Sequence, residues 1–161
     1  MTKFKSRDPS EIVTATLQGY ADRGVFRGFS VAPGPRGRQA YRFTWLTRQP
    51  TALSFDPRTG VLGFNGLFPA ARSRPDMAAD LRALVAGVAS RERPAHKRLD
   101  ARRATVSSSL RRGDWSLTMK VKGSNHAYAT RAALNLVNEL FLVLHERYPD
   151  YLIEEFGFPD E

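Results

Sequence analysis

The sequence predicts a single α+β domain, in which an antiparallel sheet of about five strands carries helices mainly on one face. Three observations favour this class: apolar residues recur at helical spacing in some segments, they alternate at strand spacing in others, and the strand segments follow one another through short turns. The resulting element order is α-β-β-β(β)-α-β-β-α. A chain of 161 residues can bury a core without a disulfide or a metal. We therefore expect residues 1–161 to form one domain, with frayed ends over 1–8 and 158–161.

The N-terminal third predicts one helix followed by two strands. The run Asp8-Pro9-Ser10-Glu11 is typical of a helix start and predicts a helix over 9–22. A strand is expected over 25–32, where a turn rich in Pro and Gly ends it. Residues 40–47 predict the next strand, with aromatic side chains on one face and polar side chains on the other (Tyr41, Phe43 and Trp45 against Arg42 and Thr44).

The middle of the chain predicts two short strands and a second helix. Pro50 is expected to break the preceding strand. The two strands, over 52–55 and 60–68, are joined by a turn that contains Pro and Gly. A helix is expected over 75–90, because its apolar residues form a single stripe (Met77, Leu81, Leu84, Val85 and Val88).

The last third predicts a hairpin and a long helix. The hairpin strands lie over 105–110 and 115–122, around a turn at Arg111-Arg112-Gly113-Asp114. The long helix is expected over 126–147 and is apolar around most of its circumference, so it needs cover on more than one side. Residues 150–156 are expected to form a short helix or turn. The second hairpin strand alternates so regularly that its register is well specified (Trp115, Leu117, Met119 and Val121 face one way).

Charge divides the chain into a basic body and an acidic end. The formal net charge is +9. Residues 139–161 hold seven acidic residues and one basic residue, a net charge of −6, so residues 1–138 carry +15. A basic field attracts polyanions and acidic protein surfaces. The acidic end can also dock on the basic body of its own chain, where it would compete with an anionic partner.

The composition excludes several classes of protein. The chain has no cysteine, which rules out disulfides, thiolate nucleophiles, cysteine-ligated zinc and iron–sulfur clusters. No segment has the length and apolarity of a membrane span, and the first residues lack the apolar run of a signal peptide. We therefore expect a cytoplasmic protein.

No catalytic, cofactor-binding or metal-binding residue is predicted. The three histidines, His96, His126 and His145, form no H-x-x-x-H pair. The glycines over 60–66 lie inside a strand pattern with bulky neighbours, which indicates a bulged or tightly packed strand instead of a phosphate loop. A small enzyme of unknown class stays open as the third of three functional alternatives.

The element order resembles that of the type III secretion chaperone-like fold, including the bacterial sensory-transduction-regulator proteins placed with it. The ending Tyr151-Leu152-Ile153-Glu154-Glu155-Phe156-Gly157-Phe158, after a hairpin and a long helix, is similar in style to the ending of some of those proteins. The resemblance implies a small, often dimeric, protein-binding module without catalytic residues. The basic body departs from the acidic character of the chaperones, and the resemblance transfers no functional residue.

The leading functional hypothesis is a non-catalytic module that binds a protein partner and self-associates. A homodimer is expected through the long helix or through an exposed sheet edge, with Leu134, Phe141 and Leu142 as candidate interface residues. The alternative is a module that binds nucleic acid through a basic surface. Its candidate residues are Arg91, Arg93, Lys97, Arg98, Arg102, Arg103, Arg111, Arg112, Lys120 and Lys122.

Overall fold

The structure, a computed structural model, describes residues 8–157. In this part of the chain, one antiparallel sheet of six strands and four α-helices confirm the predicted α+β class. The predicted frayed ends lie outside the described residues, except for Asp8, which directly precedes the first helix. The elements are α1 (Pro9–Asp22), β1 (Arg27–Pro33), β2 (Gln39–Thr44), β3 (Pro50–Asp56), β4 (Val61–Phe68), α2 (Pro75–Ala86), β5 (Ala104–Arg111), β6 (Asp114–Val121), α3 (His126–Arg147) and α4 (Pro149–Phe156).

The strands do not follow one another across the sheet in chain order. Their spatial order is β1-β2-β3-β4-β6-β5. The chain leaves β4 through α2, enters the sheet again at its far side as β5, and returns through a hairpin so that β6 lies beside β4. Strands β1 and β5 are therefore the two edges of the sheet.

Some predicted boundaries are wrong, and the reasons are local. Pro50 begins β3 instead of breaking a strand, and proline is tolerated at the first residue of a strand because that amide is not needed in the ladder. Strand β2 ends at Thr44, and the chain then turns through Leu46, which has a φ of +69°. Helix α2 ends at Ala86, before the predicted residue 90, and the backbone N–H of Gly87 bonds the last carbonyls. Of the two alternatives predicted for the segment after α3, a short helix or a turn, the helix is the one that forms, over Pro149–Phe156.

The β5–β6 hairpin has the tight turn that its sequence predicts. Arg112 and Gly113 have φ values of +55° and +86°, and two consecutive residues with positive φ are typical of a two-residue hairpin loop. The turn pairs Arg111 with Asp114, and the register continues without a shift to the pair Ala104 and Val121. The ladder of the hairpin is therefore regular from its turn to its open end.

The helices cover one face of the sheet. Tyr41 and Phe43 are buried beneath them, whereas Arg42 between them is exposed on the opposite face. In β6, Leu117 and Met119 are buried in the same way. The alternation is that of a sheet with one face in the core and one face in solvent.

Helix α3 lies in the middle of the helical layer and is covered by its own chain. It contacts α1, α2, α4 and β6. Leu134 and Phe141 are 1% and 4% exposed, so the expectation that they form an interface between subunits is wrong: they pack in the core. Leu142, by contrast, is 58% exposed. No helix within residues 8–157, α3 included, has the length and apolarity needed to cross a membrane.

The acidic end docks on the basic body at several points. Arg74, just before α2, donates hydrogen bonds to Asp150 at 2.7 Å and to Glu154 at 2.6 Å. Because it is bonded to Arg74, the carboxyl of Asp150 has a lowered pKa. Glu139 forms an ion pair with Arg93 at 2.9 Å. The acidic residues Asp160 and Glu161 lie outside the described residues.

Candidate functional site

The structure divides the predicted basic residues into two groups, one at each end of the β5–β6 hairpin. The segment over 91–103, Lys120 and Lys122 lie at the open end of the hairpin, whereas Arg111 and Arg112 lie at its turn. Arg103 and Arg111 are eight residues apart along an extended strand, roughly 26 Å at about 3.3 Å per residue. One compact patch does not contain both groups.

Most side chains of the first group bond to their own chain. Arg102 pairs with Asp100 at 3.2 Å, and this hydrogen bond lowers the pKa of the Asp100 carboxyl. The guanidinium of Arg103 lies 3.9 Å from the centroid of the Tyr128 ring. The two lysines donate to backbone carbonyls (Lys120 to Thr59 and Lys122 to Ala101). Arg103 and Lys122 therefore hold the segment 91–103 against α3 and the end of β6, whereas Lys120 bonds the turn between β3 and β4.

Two further arginines form hydrogen bonds within the same segment. Nη2 of Arg98 donates to the carbonyl oxygens of Arg91 at 3.0 Å and Arg93 at 2.8 Å. Nη2 of Arg93 donates to the carbonyl oxygen of Lys97 at 2.9 Å and to Oε1 of Glu139 at 2.9 Å. The segment is thus closed on itself and tied to α3.

A cleft of about 730 Å³ lies between this segment and the outer side of α3. We call it the basic cleft. It brings together three of the predicted basic residues, Arg93, Lys97 and Arg98, with Leu142 from the predicted interface. Its full lining is Val88, Arg93, Ala95, His96, Lys97, Arg98, Leu99, Met119, Tyr128, Arg131, Ala132, Asn135, Leu136, Asn138, Glu139 and Leu142.

A second concave site, of about 490 Å³, lies between α2 and the edge strand β5. We call it the β5 groove. Small residues of α2 form one wall, and the exposed part of β5 forms the other. It is lined by Ala71, Arg72, Pro75, Ala78, Ala79, Arg82, Ser108, Ser109, Leu110 and Trp115.

The outer edge of β5 carries backbone groups without partners. The N–H of Lys122 donates to the carbonyl of Arg103 at 3.0 Å, so residue 103 points its backbone groups toward β6. Because these groups alternate along a strand, three residues of β5 point theirs outward. They are Val106, Ser108 and Leu110, and none of their backbone groups is hydrogen-bonded elsewhere within residues 8–157.

Four arginines surround the β5 groove. Arg72 and Arg82 line it, and Arg111 and Arg112 lie at the hairpin turn beside it. The backbone N–H of Arg72 donates to the carbonyl of Gly113 at 3.0 Å, which places Arg72 next to that turn. In the described part of the chain, none of the four forms an ion pair with a carboxylate.

Sequence reasoning missed two of these four arginines, Arg72 and Arg82. Neither lies in a basic run or in a motif, so no local signal marks them. They become part of a site because the chain path through α2 places that helix against β5.

The fold and these two sites define a small α+β protein with a sheet that is covered on one face and open at its β5 edge. Comparison of the chain with protein-family models, with curated proteins and with solved structures gives no match. The resemblance to the type III secretion chaperone-like fold therefore stays a prediction.

Proposed function

We propose that this protein is a non-catalytic binding module that takes an extended, acidic segment of a partner protein as an additional strand along β5. The observation that carries the proposal is the open edge of β5, where Val106, Ser108 and Leu110 present three N–H and three C=O groups without partners. Strand addition satisfies such groups through main-chain hydrogen bonds, while neighbouring pockets select the side chains.

Strand β5 is better suited to this role than the other edge strand. Exposed edges are commonly protected by proline, charge or a bulge. Strand β1 has a bulge between Arg27 and Ser30 and ends at Pro33. Residues 104–110 contain no proline, no charged residue and no shift of register. A segment that pairs with β5 would also contact the small residues of α2 across the β5 groove.

The charge of the groove supports an acidic occupant. Four arginines surround it without a carboxylate partner, as described above, and an acidic segment is attracted by that field. A second copy of this chain is a poorer occupant, because two-fold pairing of β5 with itself would bring two sets of these arginines together. Leu110, which is 45% exposed, supplies an apolar contact near the hairpin turn.

A display library of random ten-residue peptides tests the proposal. We expect enrichment of sequences in which acidic residues alternate with small or apolar residues. Ser108→Pro should abolish their binding, because it removes one outward N–H while leaving the bonds between β5 and β6 intact. Ser108→Ala keeps the backbone N–H and should bind as the original protein does. Arg82→Glu should weaken binding by about tenfold or more.

Three outcomes would overturn this proposal. One is enrichment of no peptide above background. Another is equal binding by the Ser108→Pro and Ser108→Ala variants. The third is retardation of mixed RNA and DNA at moderate salt that Arg111→Gln and Arg112→Gln weaken, since that result would favour the nucleic-acid alternative.

We also propose that the chain self-associates, with Leu142 as the remaining candidate interface residue. Leu142 is the one expected interface residue on α3 that the fold leaves exposed. Light scattering on the purified chain tests it: a mass of two chains that Leu142→Asp reduces to one supports the dimer. A mass of one chain at high micromolar concentration would contradict the dimer.

A further inference from the structure

The basic cleft combines an apolar floor with a cationic rim. The floor is formed by buried side chains from both walls and from β6: Val88, Leu99, Met119 and Leu136 are each less than a tenth exposed. The exposed cations of the lining, which form its rim, are Lys97 from the segment over 91–98 and Arg131 from α3. A ligand held here would meet apolar surface along its body and positive charge at its edge.

The positive charge of the cleft is largely uncompensated. Glu139 is the one acidic residue of its lining, and it is already paired with Arg93. Arg98 is bonded to backbone carbonyls only, and its Nε is buried without an acceptor among the described residues. Lys97 and Arg131 form no ion pair with any residue of 8–157. Partly buried Arg98 and exposed Lys97 and Arg131 thus have no counter-charge, which favours an anion at this site.

The cleft is held open by bonds that do not involve a ligand. Arg98 fixes the carbonyls of residues 91 and 93, and Arg93 ties the segment to Glu139 of α3. The backbone N–H of Leu99 donates to the carbonyl of Val88 at 2.9 Å, which fixes the far end of the segment. A preformed site of this kind loses little freedom when it binds.

We propose that the basic cleft binds a small organic anion, a single sulfonate, carboxylate or phosphate group attached to an apolar body. The volume of about 730 Å³ lies within the range of roughly 300–1,000 Å³ that holds drug-sized ligands. The acidic group lies between Lys97 and Arg131 at the rim, and the apolar body lies on the floor against Leu99 and Leu136. This site is separate from the β5 groove, so the two proposals succeed or fail independently.

A small anion fits this cleft better than a nucleic acid. A polyanion needs a line of free cations that follows its phosphates. The basic residues next to the cleft point elsewhere: Arg102 is paired with Asp100, and Arg103 is stacked on Tyr128. These two side chains are therefore not free to extend the rim of the cleft into a line of phosphate contacts.

A matched pair of fluorescent dyes tests the proposal on the full chain. Anilinonaphthalene sulfonate carries an acidic group on an apolar body, and phenylnaphthylamine is the same body without the acidic group. We expect one sulfonate dye to bind per chain, at least about tenfold more tightly than the neutral dye. Decanoate should displace it, and decanol at the same concentration should not.

Substitutions locate the bound dye. Arg131→Gln, at an exposed position of α3, should lower the affinity for the sulfonate dye by about three- to tenfold without changing the fold. Arg98→Gln should lower this affinity by about tenfold or more. The circular dichroism of the variant shows whether the segment stays folded. Arg42→Gln is the matched control, since Arg42 is an exposed arginine on the open face of the sheet, outside both sites, and this variant should bind the dye as the original chain does.

Two results would overturn the proposal. Equal affinity for the charged and neutral dyes, or an Arg131→Gln affinity equal to that of Arg42→Gln, would show that the rim cations do not bind the acidic group. Displacement of the dye by a single-stranded oligonucleotide, with a steep loss of affinity in salt, would show that the cleft is part of a polyanion surface.

Discussion

Arg93 donates a 2.9 Å hydrogen bond from Nη2 to Oε1 of Glu139, and this ion pair joins the segment 91–98 to α3. Their side chains are 17% and 32% exposed, so water screens the pair less than it screens an ion pair on the open surface. The same Nη2 also bonds the carbonyl of Lys97. One side chain thus sets both the internal shape of the segment and its distance from α3.

Glu139→Ala should loosen the segment while leaving the rest of the fold intact. The backbone N–H groups of Lys97 and Arg98 donate to the carbonyls of Pro94 and Ala95. We expect their hydrogen exchange to accelerate by about five- to tenfold, because the segment opens more often without its tie to α3. Exchange followed by nuclear magnetic resonance measures this. Glu146→Ala, at an exposed glutamate of the same helix, is the control, and equal exchange in both variants would contradict the expectation.

His126 should make the protein sensitive to mild acid. It is 9% exposed, and its ring lies edge-on to Phe55 with the centroids 5.9 Å apart. Burial lowers the pKa of His126 in the folded chain, whereas the unfolded chain keeps a pKa near about 6.5. Protons therefore bind preferentially to the unfolded chain below that pH. The stability that neutral His126 contributes is present above about pH 6.5 and is lost as the pH falls toward the folded pKa.

Urea unfolding at about pH 7 and pH 5 checks the role of His126. The original chain should lose stability between the two, and His126→Gln should lose less. His96→Gln replaces an exposed histidine and should behave as the original chain does. An equal loss in all three proteins would assign the acid sensitivity to other groups.

Tyr41→Phe should destabilise the protein by about 0.5–1.5 kcal/mol through the loss of one hydrogen bond. The Tyr41 ring is fully buried, and its hydroxyl lies 2.7 Å from Oγ1 of Thr14, which connects β2 to α1. Burial also raises the pKa of Tyr41. Tyr20→Phe is the matched control, because the Tyr20 hydroxyl makes no hydrogen bond within residues 8–157. Urea unfolding should show a lower free energy of unfolding for Tyr41→Phe than for Tyr20→Phe. Equal values would show that the bond to Thr14 does not stabilise the fold.

Gly60→Ala should cost more stability than Gly24→Ala. Both glycines have positive φ, +73° and +80°, so alanine is strained by about 1–2 kcal/mol at either position. A Cβ at Gly60 would also lie 3.3 Å from the carbonyl oxygen of Val121, whereas a Cβ at Gly24 would meet nothing within 4 Å. Urea denaturation should therefore rank the two variants in that order. The reverse order would show that the backbone of the turn before β4 shifts at little cost to accommodate the Cβ.

Local pattern was sufficient for most elements of the fold. The alternation in 115–122 and the turn at Arg112-Gly113 both depend on residues close in the chain, and the hairpin forms as predicted. Boundaries at Pro50 and Ala86 were less predictable. Pro50 begins β3 because it pairs with Thr44 of the neighbouring strand, and α2 ends where the N–H of Gly87 bonds the carbonyls of its last turn.

The candidate sites were much less predictable. The sequence picked out Arg93, Lys97 and Arg98, which do share the basic cleft, but it grouped them with Arg111 and Arg112 at the other end of the hairpin. It also assigned Leu134 and Phe141 to an interface. Periodicity shows that a helix is apolar on several sides, but it does not show that three other helices of the same chain cover those sides.

By itself, the sequence determined the class of the fold, the order of its elements and the split between a basic body and an acidic end, since each follows from residue type and short-range spacing. Only the tertiary structure decided that β6 lies between β4 and β5, which leaves β5 as an open edge beside α2. That placement is a matter of contacts between residues far apart in the chain. Both proposed sites depend on such contacts, because each is formed where two distant segments meet around charges that neither segment neutralises.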